Sequence, residues 1–493
     1  MHRCLCVDEV VRLITHELVA SRGHATSVAL ACCCKSLEDP VLDVLWQTQQ
    51  ELLPLLKTLP GDVWNESECT VSQPTTFTFS LLNYSTQKSF RRLPTTLEWA
   101  RFRKYARRMR ELNERNCHYS EVLPVLQFCA TNGPLFLNLK TLHLWFTAAE
   151  FIPFIPSFLS PRTTSFLLWF KTDPPPAIVA SMITALPTLC PDLQDISLWA
   201  LPRHPMITAA VTGMLLASNR SLRRLRLDSP LTEEACEVVY KHPDLRELSV
   251  VIEGSTSLPL VELPNLTEIF IEYDRSCDWL QGFRGATLGK LASISFHSES
   301  DSTIDFLEEF KRVALTTSIP ATLSKFSFGT SRQWKPNYRS LLPFTLLSKI
   351  DIEFSCDGGC SSTIDDDIIT EIARAMPGLE FLHLGDEPCE TPTGITIKGL
   401  ATLAHYCPSL CMLRVHFQVA SLDPLAIPKV IPGGEPTIPR RNYALTDLDV
   451  GAIPLPQESV LVVAQTLTRI FPRITYISST DDNWDEIVDP TCV

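Results

Sequence analysis

A chain of 493 residues, 45% of them hydrophobic, has ample material for a large core. Its formal charge of −13 argues against general nucleic-acid binding, which needs a basic face for phosphate contacts. The 17 cysteines are odd in number and irregular in spacing, the usage expected of reduced, buried thiols in an intracellular protein, and no uncharged apolar run reaches membrane-spanning length.

The N-terminus offers no signal peptide, because Asp8, Glu9 and Arg12 interrupt any apolar core. The expected location is therefore intracellular, cytoplasmic or nuclear. Residues 7–19 read as an amphipathic helix, with Val7, Val10, Val11, Ile14 and Leu18 on one face. Thr26 or Ser27 is placed to cap a second short helix that runs through Leu30 into Cys32-Cys33-Cys34. Asp39-Pro40 reads as the opening of a third, with Asp39 as cap and Pro40 at the first helical position. Three helices this short leave a core too small to stand alone, and their unburied apolar surface predicts a partner.

The residues of this stretch resemble an F-box. The resemblance runs through Glu9-Val10-Val11-Arg12-Leu13-Ile14, then Ser27-Val28-Ala29-Leu30-Ala31-Cys32-Cys33-Cys34-Lys35, then Pro40-Val41-Leu42-Asp43-Val44-Leu45-Trp46. It is greatest to the divergent version found in a large fungal group of F-box-like leucine-rich repeat proteins. The Leu-Pro that commonly opens an F-box is replaced here by Val7-Asp8. The resemblance implies a helical module over residues 1–60 that binds a Skp-type adaptor, and a cullin through it. Val10, Ile14, Leu30, Leu45 and Trp46 would form or support that contact. It also implies that the rest of the chain holds a protein to be ubiquitinated.

Residues 61–96 form a polar connecting segment, with Phe77, Phe79, Leu81 and Leu82 as a possible strand. Thr95-Thr96-Leu97-Glu98 has the pattern of a capping box. The helix it would open carries Arg101, Arg103, Lys104, Arg107, Arg108 and Arg110, and reads as a solvated basic face.

From residue 97 to 480 the chain is organised by one phrase, apolar-x-x-apolar-x-apolar. Leu139-Leu142-Leu144 is the first of eleven clear copies and Leu445-Leu448-Val450 the last. A degenerate copy reads as Thr164, Leu167 and Trp169, and Ile474 with Ile477 closes the series. The mean period of about 28 residues is that of leucine-rich repeats. The second and third apolar positions are two apart, so they share one side of a short strand, and stacking the strands in parallel buries them. Prolines 191, 243, 264, 377, 408 and 472 each precede the first apolar position by two residues, where they stop a helix and reset the chain to extended geometry. The expected fold is therefore α/β, a leucine-rich repeat solenoid whose curved parallel sheet carries outer helices, behind a three-helix module.

Two insertions interrupt the array. One contains Cys356, Cys360 and Asp365-Asp366-Asp367, whose spacing fits neither a zinc knuckle nor a calcium loop and predicts an acidic helix cap instead. The other, Asp423 to Arg441, holds five prolines and reads as an extruded loop. Residues 481–493 form an acidic tail.

No catalytic constellation emerges. Gly285 to Lys290 has one residue too few between its glycines for a phosphate loop, and Leu291 stands where Ser or Thr is required. No catalytic residue, metal or cofactor is expected, and no nucleic acid or membrane as partner. His143 and His383 fall on outward strand positions suited to surface readout. The predicted partner site is the concave face, where Trp145, Phe170 and Trp199 would form an aromatic column bordered by Arg224 and Arg226, with Asp195 and Glu247 as neutralising neighbours.

Overall fold

The computed structural model describes residues 7–69, 85–115, 119, 121–129, 133–218, 222–239, 242–252, 263–273, 278–284, 286–298, 306–330, 336–354, 364–385, 394–419, 422, 440–451 and 453–488. The chain divides into two compact units, Met1–Val239 and Tyr240–Val493.

The first unit opens with α1 (Asp8–Ala20), α2 (His24–Cys33) and α3 (Lys35–Leu45). Their shared core is small: Val11, Ala31, Leu37 and Val41, with Leu30, Cys34 and Leu45 packed against it. α1 runs where its apolar spacing predicts. α2 begins earlier than expected, with Gly23 at its cap, and Ser27 is buried with its hydroxyl donating to the Gly23 carbonyl at 3.1 Å. α3 also begins earlier, after Cys34, so that Pro40 lies inside the helix. Its buried face starts at Leu37, before Pro40, and continues through Val41 and Val44. Burying that face outweighs the one backbone hydrogen bond that the proline forgoes.

After α3 come β1 (Thr48–Gln49), α4 (Leu53–Leu56), and an antiparallel hairpin of β2 (Trp64–Cys69) and β3 (Ser85–Phe90). The expected strand at Phe77 to Leu82 lies outside the described residues. α5 (Thr96–Ala106) carries the predicted capping box, in which the Glu98 N–H donates to the Thr95 hydroxyl and the Glu98 carboxylate accepts from the Thr95 N–H. Then follow β4 (Glu111–Glu114), β5 (Thr141–Thr147), β6 (Ser165–Phe170), β7 (Asp195–Trp199) and β8 (Arg224–Pro230). The strand order is β1-β4-β5-β6-β7-β8, and the pairings from β1 with β4 to β7 with β8 are parallel. The sheet thus begins at Thr48, within the stretch read as the helical module.

The second unit stacks nine strands in sequence order: β9 (Glu247–Ile252), β10 (Glu268–Tyr273), β11 (Ser293–Ser298), β12 (Lys325–Thr330), β13 (Lys349–Phe354), β14 (Phe381–Gly385), β15 (Met412–Val415), β16 (Asp447–Gly451) and β17 (Tyr476–Ser479). Among the described residues a helix or 3-10 turn links one parallel strand to the next, except between β9 and β10 and between β15 and β16, where most of the link lies outside them. The fold is the α/β solenoid of leucine-rich-repeat type that the repeated phrase predicts.

The register bears out the phrase. Leu142, Phe166, Ile196 and Leu225 sit side by side in the first unit, as do Ile269, Ile294, Phe326, Ile350 and Leu382 in the second, all buried. The degenerate copy is one residue out: Phe166 and Leu168 take the core places. A further rung precedes Leu139, formed by Met109, Leu112 and Glu114. Its third place holds a buried carboxylate, which accepts from the Leu52 N–H at 2.7 Å.

Four of the six proline stops are seen to act as predicted. Cys190, Met376, Cys407 and Phe471 each precede one of those prolines, end a helix with ψ between 67 and 76°, and donate their N–H to the carbonyl four residues back. The links at Asp278–Phe283 and Tyr338–Leu341 are 3-10 turns rather than the predicted helices. Asp365 caps the helix Asp366–Ala375 by accepting from the Ile368 N–H at 2.9 Å. Cys356 and Cys360, and residues 423–439, lie outside the described residues. Within the stretch read as an acidic tail, residues 481–488 are described and end in a short helix, Asp485–Val488. Asp481 caps a short turn, and the buried Trp484 donates its indole N–H to the Ile453 carbonyl at 2.8 Å.

Candidate partner-binding surfaces

The first surface is the outer side of α1 and α2. Leu13, Ile14 and Val28 are exposed, and Leu13, Ile14, Glu17, Leu18 and Ser21 line an open groove. The five residues predicted to serve an adaptor divide into two groups. Ile14 is exposed and Val10 half-buried on α1. Leu30 and Leu45 pack on the small core, and Trp46 lies against Tyr105 of α5 with ring centroids 4.7 Å apart. Leu13 and Val28 fall within the F-box-like stretches but were not among the predicted contacts, since Leu13 falls off the helical face that buries Val11.

α5 and the turn that follows it orient this module. Lys104 pairs with Glu38 at 3.1 Å, and Arg108 pairs with both Asp39 and Asp43 of α3. Arg12 of α1 joins the same Asp43 at 3.0 Å. The basic helix predicted as a solvated face therefore spends two of its cations on an acidic helix some 65 residues away in sequence. Arg108 is largely buried, so its part of this network is worth more than an exposed ion pair.

The cysteines of the α2–α3 corner are not buried. Cys32 and Cys33 are exposed and Cys34 half-exposed. The Ser36 hydroxyl, 3.1 Å from the Cys34 sulfur, lowers that thiol's pKa.

The second surface is the open face of β5–β7. Trp145, Trp169 and Trp199 form a ladder with centroid spacings of 5.8 and 6.2 Å. Trp169 pairs in register with Trp199, so it is Trp169 that fills the gap assigned to Phe170. Phe170 is turned into the core, 2% exposed. The run Phe166 to Phe170 is apolar throughout, so alternation alone allows either register. Trp145 and Phe146 both reach Trp169, the latter at 5.4 Å, although consecutive strand residues ordinarily face opposite ways. A register shift between Leu144 and Thr147 and a positive φ of 53° at Phe146 make this possible. At the other end, Asp228 accepts from the Ala200 and Leu201 N–H groups, and Ala200 has a φ of 56°.

Arg224 pairs with Asp195 at 2.7 Å, as expected across neighbouring strands. Arg226 lies on the same strand and is not free either. His143 is half-buried beside the Ser165 hydroxyl at 3.3 Å, and burial followed by the Arg224 charge lowers its pKa. His383, expected to face outward for readout, is buried instead, 3% exposed, and shares a 2.8 Å hydrogen bond with Asp351.

Among the described residues no group of His, Cys, Asp and Glu could hold a metal ion, and no helix is long and apolar enough to cross a membrane. No protein-family model matches the chain. No curated protein matches it. Among solved structures, the crystal structure of the Rad7 and Elc1 complex in yeast is similar to it at a TM-score of 0.35 and 13% identity, over 79% of this chain and 92% of that one.

Proposed function

We propose that this chain is the substrate-recognition subunit of a Skp–cullin–F-box ubiquitin ligase. Residues 1–60 would be the adaptor-binding module, and the repeats of residues 97–480 would hold the protein substrate on their open sheet face. The chain itself would supply positioning and no chemistry. The observation that carries this reading is the α1–α2 surface. A module with F-box-like sequence keeps Leu13, Ile14 and Val28 exposed while Arg108 and Lys104 fix α3 against α5. Exposed apolar side chains such as Leu13 and Ile14, adjacent on α1 along an open groove, are the makings of an interface core.

One observation favours a second reading, a leucine-rich repeat scaffold without ubiquitin-ligase association. Val7 stands at the cap of α1 with no side-chain capping bond and is 44% exposed, where an F-box commonly has its Leu-Pro turn. Co-expression with a Skp-type adaptor separates the two. The wild type should co-purify with the adaptor, and the Leu13→Asp/Ile14→Asp double variant should lose it with an unchanged melting temperature. Trp46→Ala should weaken capture through the supporting contact with Tyr105. A wild-type chain that captures no Skp-type adaptor hands the function to the scaffold reading.

A further inference from the structure

The aromatic surface of β5–β7 is built rather than left over. A bulged strand and a left-handed backbone at Phe146 place two consecutive aromatic side chains against one tryptophan. Bulges re-aim side chains, and a bulky residue at positive φ persists only where the surroundings hold it there. Phe146 is nonetheless 51% exposed, so core burial does not account for it. The three tryptophans are half-buried and so present ring surface to solvent.

Two features of the surroundings select the ligand. The ionic groups bordering the ladder are already engaged: Arg224 by Asp195, and Asp228 by two backbone N–H groups, with Arg226 not free. These groups add little for a charged partner beyond the attraction that the indole faces offer a cation. The strands β5, β6 and β7 are each interior to the sheet, so none offers an edge to which a peptide strand could be added. A peptide in β conformation laid across this face would leave its own N–H and C=O groups without sheet partners. A polyproline II segment loses nothing in this way, because it makes no internal hydrogen bonds and proline has no N–H to satisfy. Its three residues per turn advance about 9.3 Å, so one turn lies along most of the ladder and two of its three edges can rest pyrrolidines on the indoles. Aromatic-lined surfaces suit such segments because they arrive already ordered.

We propose that the ladder Trp145–Trp169–Trp199, with Phe146, is a docking site for an uncharged proline-rich segment of a partner protein. This deepens the reading above, in that it rests on the open sheet face being the partner-binding face, and it names the partner's chemistry.

The test titrates the full chain with a twelve-residue polyproline peptide, a Gly-Ser peptide and a Lys-Pro peptide, read by tryptophan fluorescence and calorimetry. Polyproline should bind saturably and the Gly-Ser peptide should not. Trp169→Ala should weaken polyproline binding at least tenfold. Because Trp169 is half-buried, Phe146→Gly is the second variant. It relieves the backbone conformation, so it should fold normally and still bind severalfold more weakly. Absence of polyproline binding, binding untouched by both variants, or preference for the Lys-Pro peptide each overturns the proposal. The adaptor experiment is independent. Adaptor capture without polyproline binding sinks this inference alone, and polyproline binding without adaptor capture sinks the ligase reading alone.

Discussion

The open sheet face carries opposite chemistry in the two units, on positions two residues apart along the strands. In the first, the open face of β5–β7 bears indoles that remain partly in solvent. In the second, β13–β16 set Asp351, His383, Arg414 and Asp449 side by side in register. There, His383 bonds Asp351 at 2.8 Å, and Arg414 donates to Asp449 at 2.7 Å. Asp449 also accepts from the Gly451 N–H at 2.9 Å, and His383, His416 and Asp449 are all under 9% exposed. Even Gly451 belongs to this packing: its φ is +60°, and a Cβ on it would come within 2.6 Å of His416 Nε2. Buried polar groups satisfied this fully act to fix one arrangement. Apolar groups left partly exposed on a strained backbone do the reverse and remain available to a partner. The charged row is thus structural, and the aromatic row is the candidate site.

The largest expected effects lie beneath both faces, where the units should behave alike. Leu225→Asp and Leu382→Asp each put an unpaired carboxylate at a fully buried rung. Each should cost about 4 kcal/mol or more. Chemical denaturation reads the loss, and hydrogen exchange should localise it to β7–β8 and to β13–β15 respectively. An unchanged midpoint for either would refute the register.

One layer up, the comparison sharpens. Asp449→Ala removes the acceptor of the Gly451 N–H and the ion-pair partner of Arg414, whose side chain is 35% exposed against 12% for Asp449, and should cost about 2 kcal/mol. Arg224→Ala breaks an ion pair of similar length in the first unit, but Arg224 is 47% exposed, so the cost should be about 0.5 kcal/mol. Equal losses would show that the two rows do not differ in the way burial indicates.

Most of the fold was legible because apolar period and punctuation agreed. Leu142/Leu144 through Leu448/Val450 fixed the rungs, the prolines fixed the helix ends, and Thr95 with Glu98 fixed the start of α5. The misreadings share a cause, which is a tertiary contact outweighing a local signal. Leu37 extends α3 back past Asp39-Pro40. Glu114 occupies a core place because Leu52 supplies an N–H to it, so its rung reads as a break. The role of Lys104 and Arg108 depends on acids far away in sequence. Of the site, Trp145 and Trp199 could be found by position. Trp169 was hidden by a run with two apolar registers, and Phe146 by a bulge that no local pattern announces.

Acid should act on both units, through different groups. Burial lowers the pKa of His416, against the raising influence of Asp449, and burial with the Arg224 charge lowers that of His143. An imidazole held neutral in the fold takes up its proton more readily in the unfolded chain. Its contribution is therefore complete above the unfolded value near 6.5 and is lost as pH falls from there toward the folded value. Burial works to raise the Asp351 carboxyl, but hydrogen bonds from His383 and Lys349 outweigh it, so its contribution is lost only as pH falls below about 3.9. Melting temperature should decline modestly from pH 7 to 5, and less so in His416→Gln and in His143→Gln. A decline that begins only below pH 4 in the wild type would assign acid sensitivity to carboxylates alone.

The smallest effect isolates what the ladder itself contributes. Ala200 and Phe146 are the non-glycine residues at positive φ that flank it, at 56° and 53°. A left-handed conformation costs an L-residue about 1 kcal/mol, which glycine avoids while adding entropy to the unfolded chain. Ala200 has no ring to lose and its N–H bond to Asp228 survives substitution, so Ala200→Gly should stabilise by about 0.5 kcal/mol. Phe146→Gly gains the same relief and gives up the contact with Trp169, about 0.5–1.5 kcal/mol for an aromatic pair. It should come out near zero or slightly destabilising. Subtracting the two stability changes, measured in one denaturation series, leaves the ring contact with the backbone relief cancelled. If both variants stabilise equally, the Phe146 ring contributes nothing in the free protein, and its strained backbone is maintained for the partner alone.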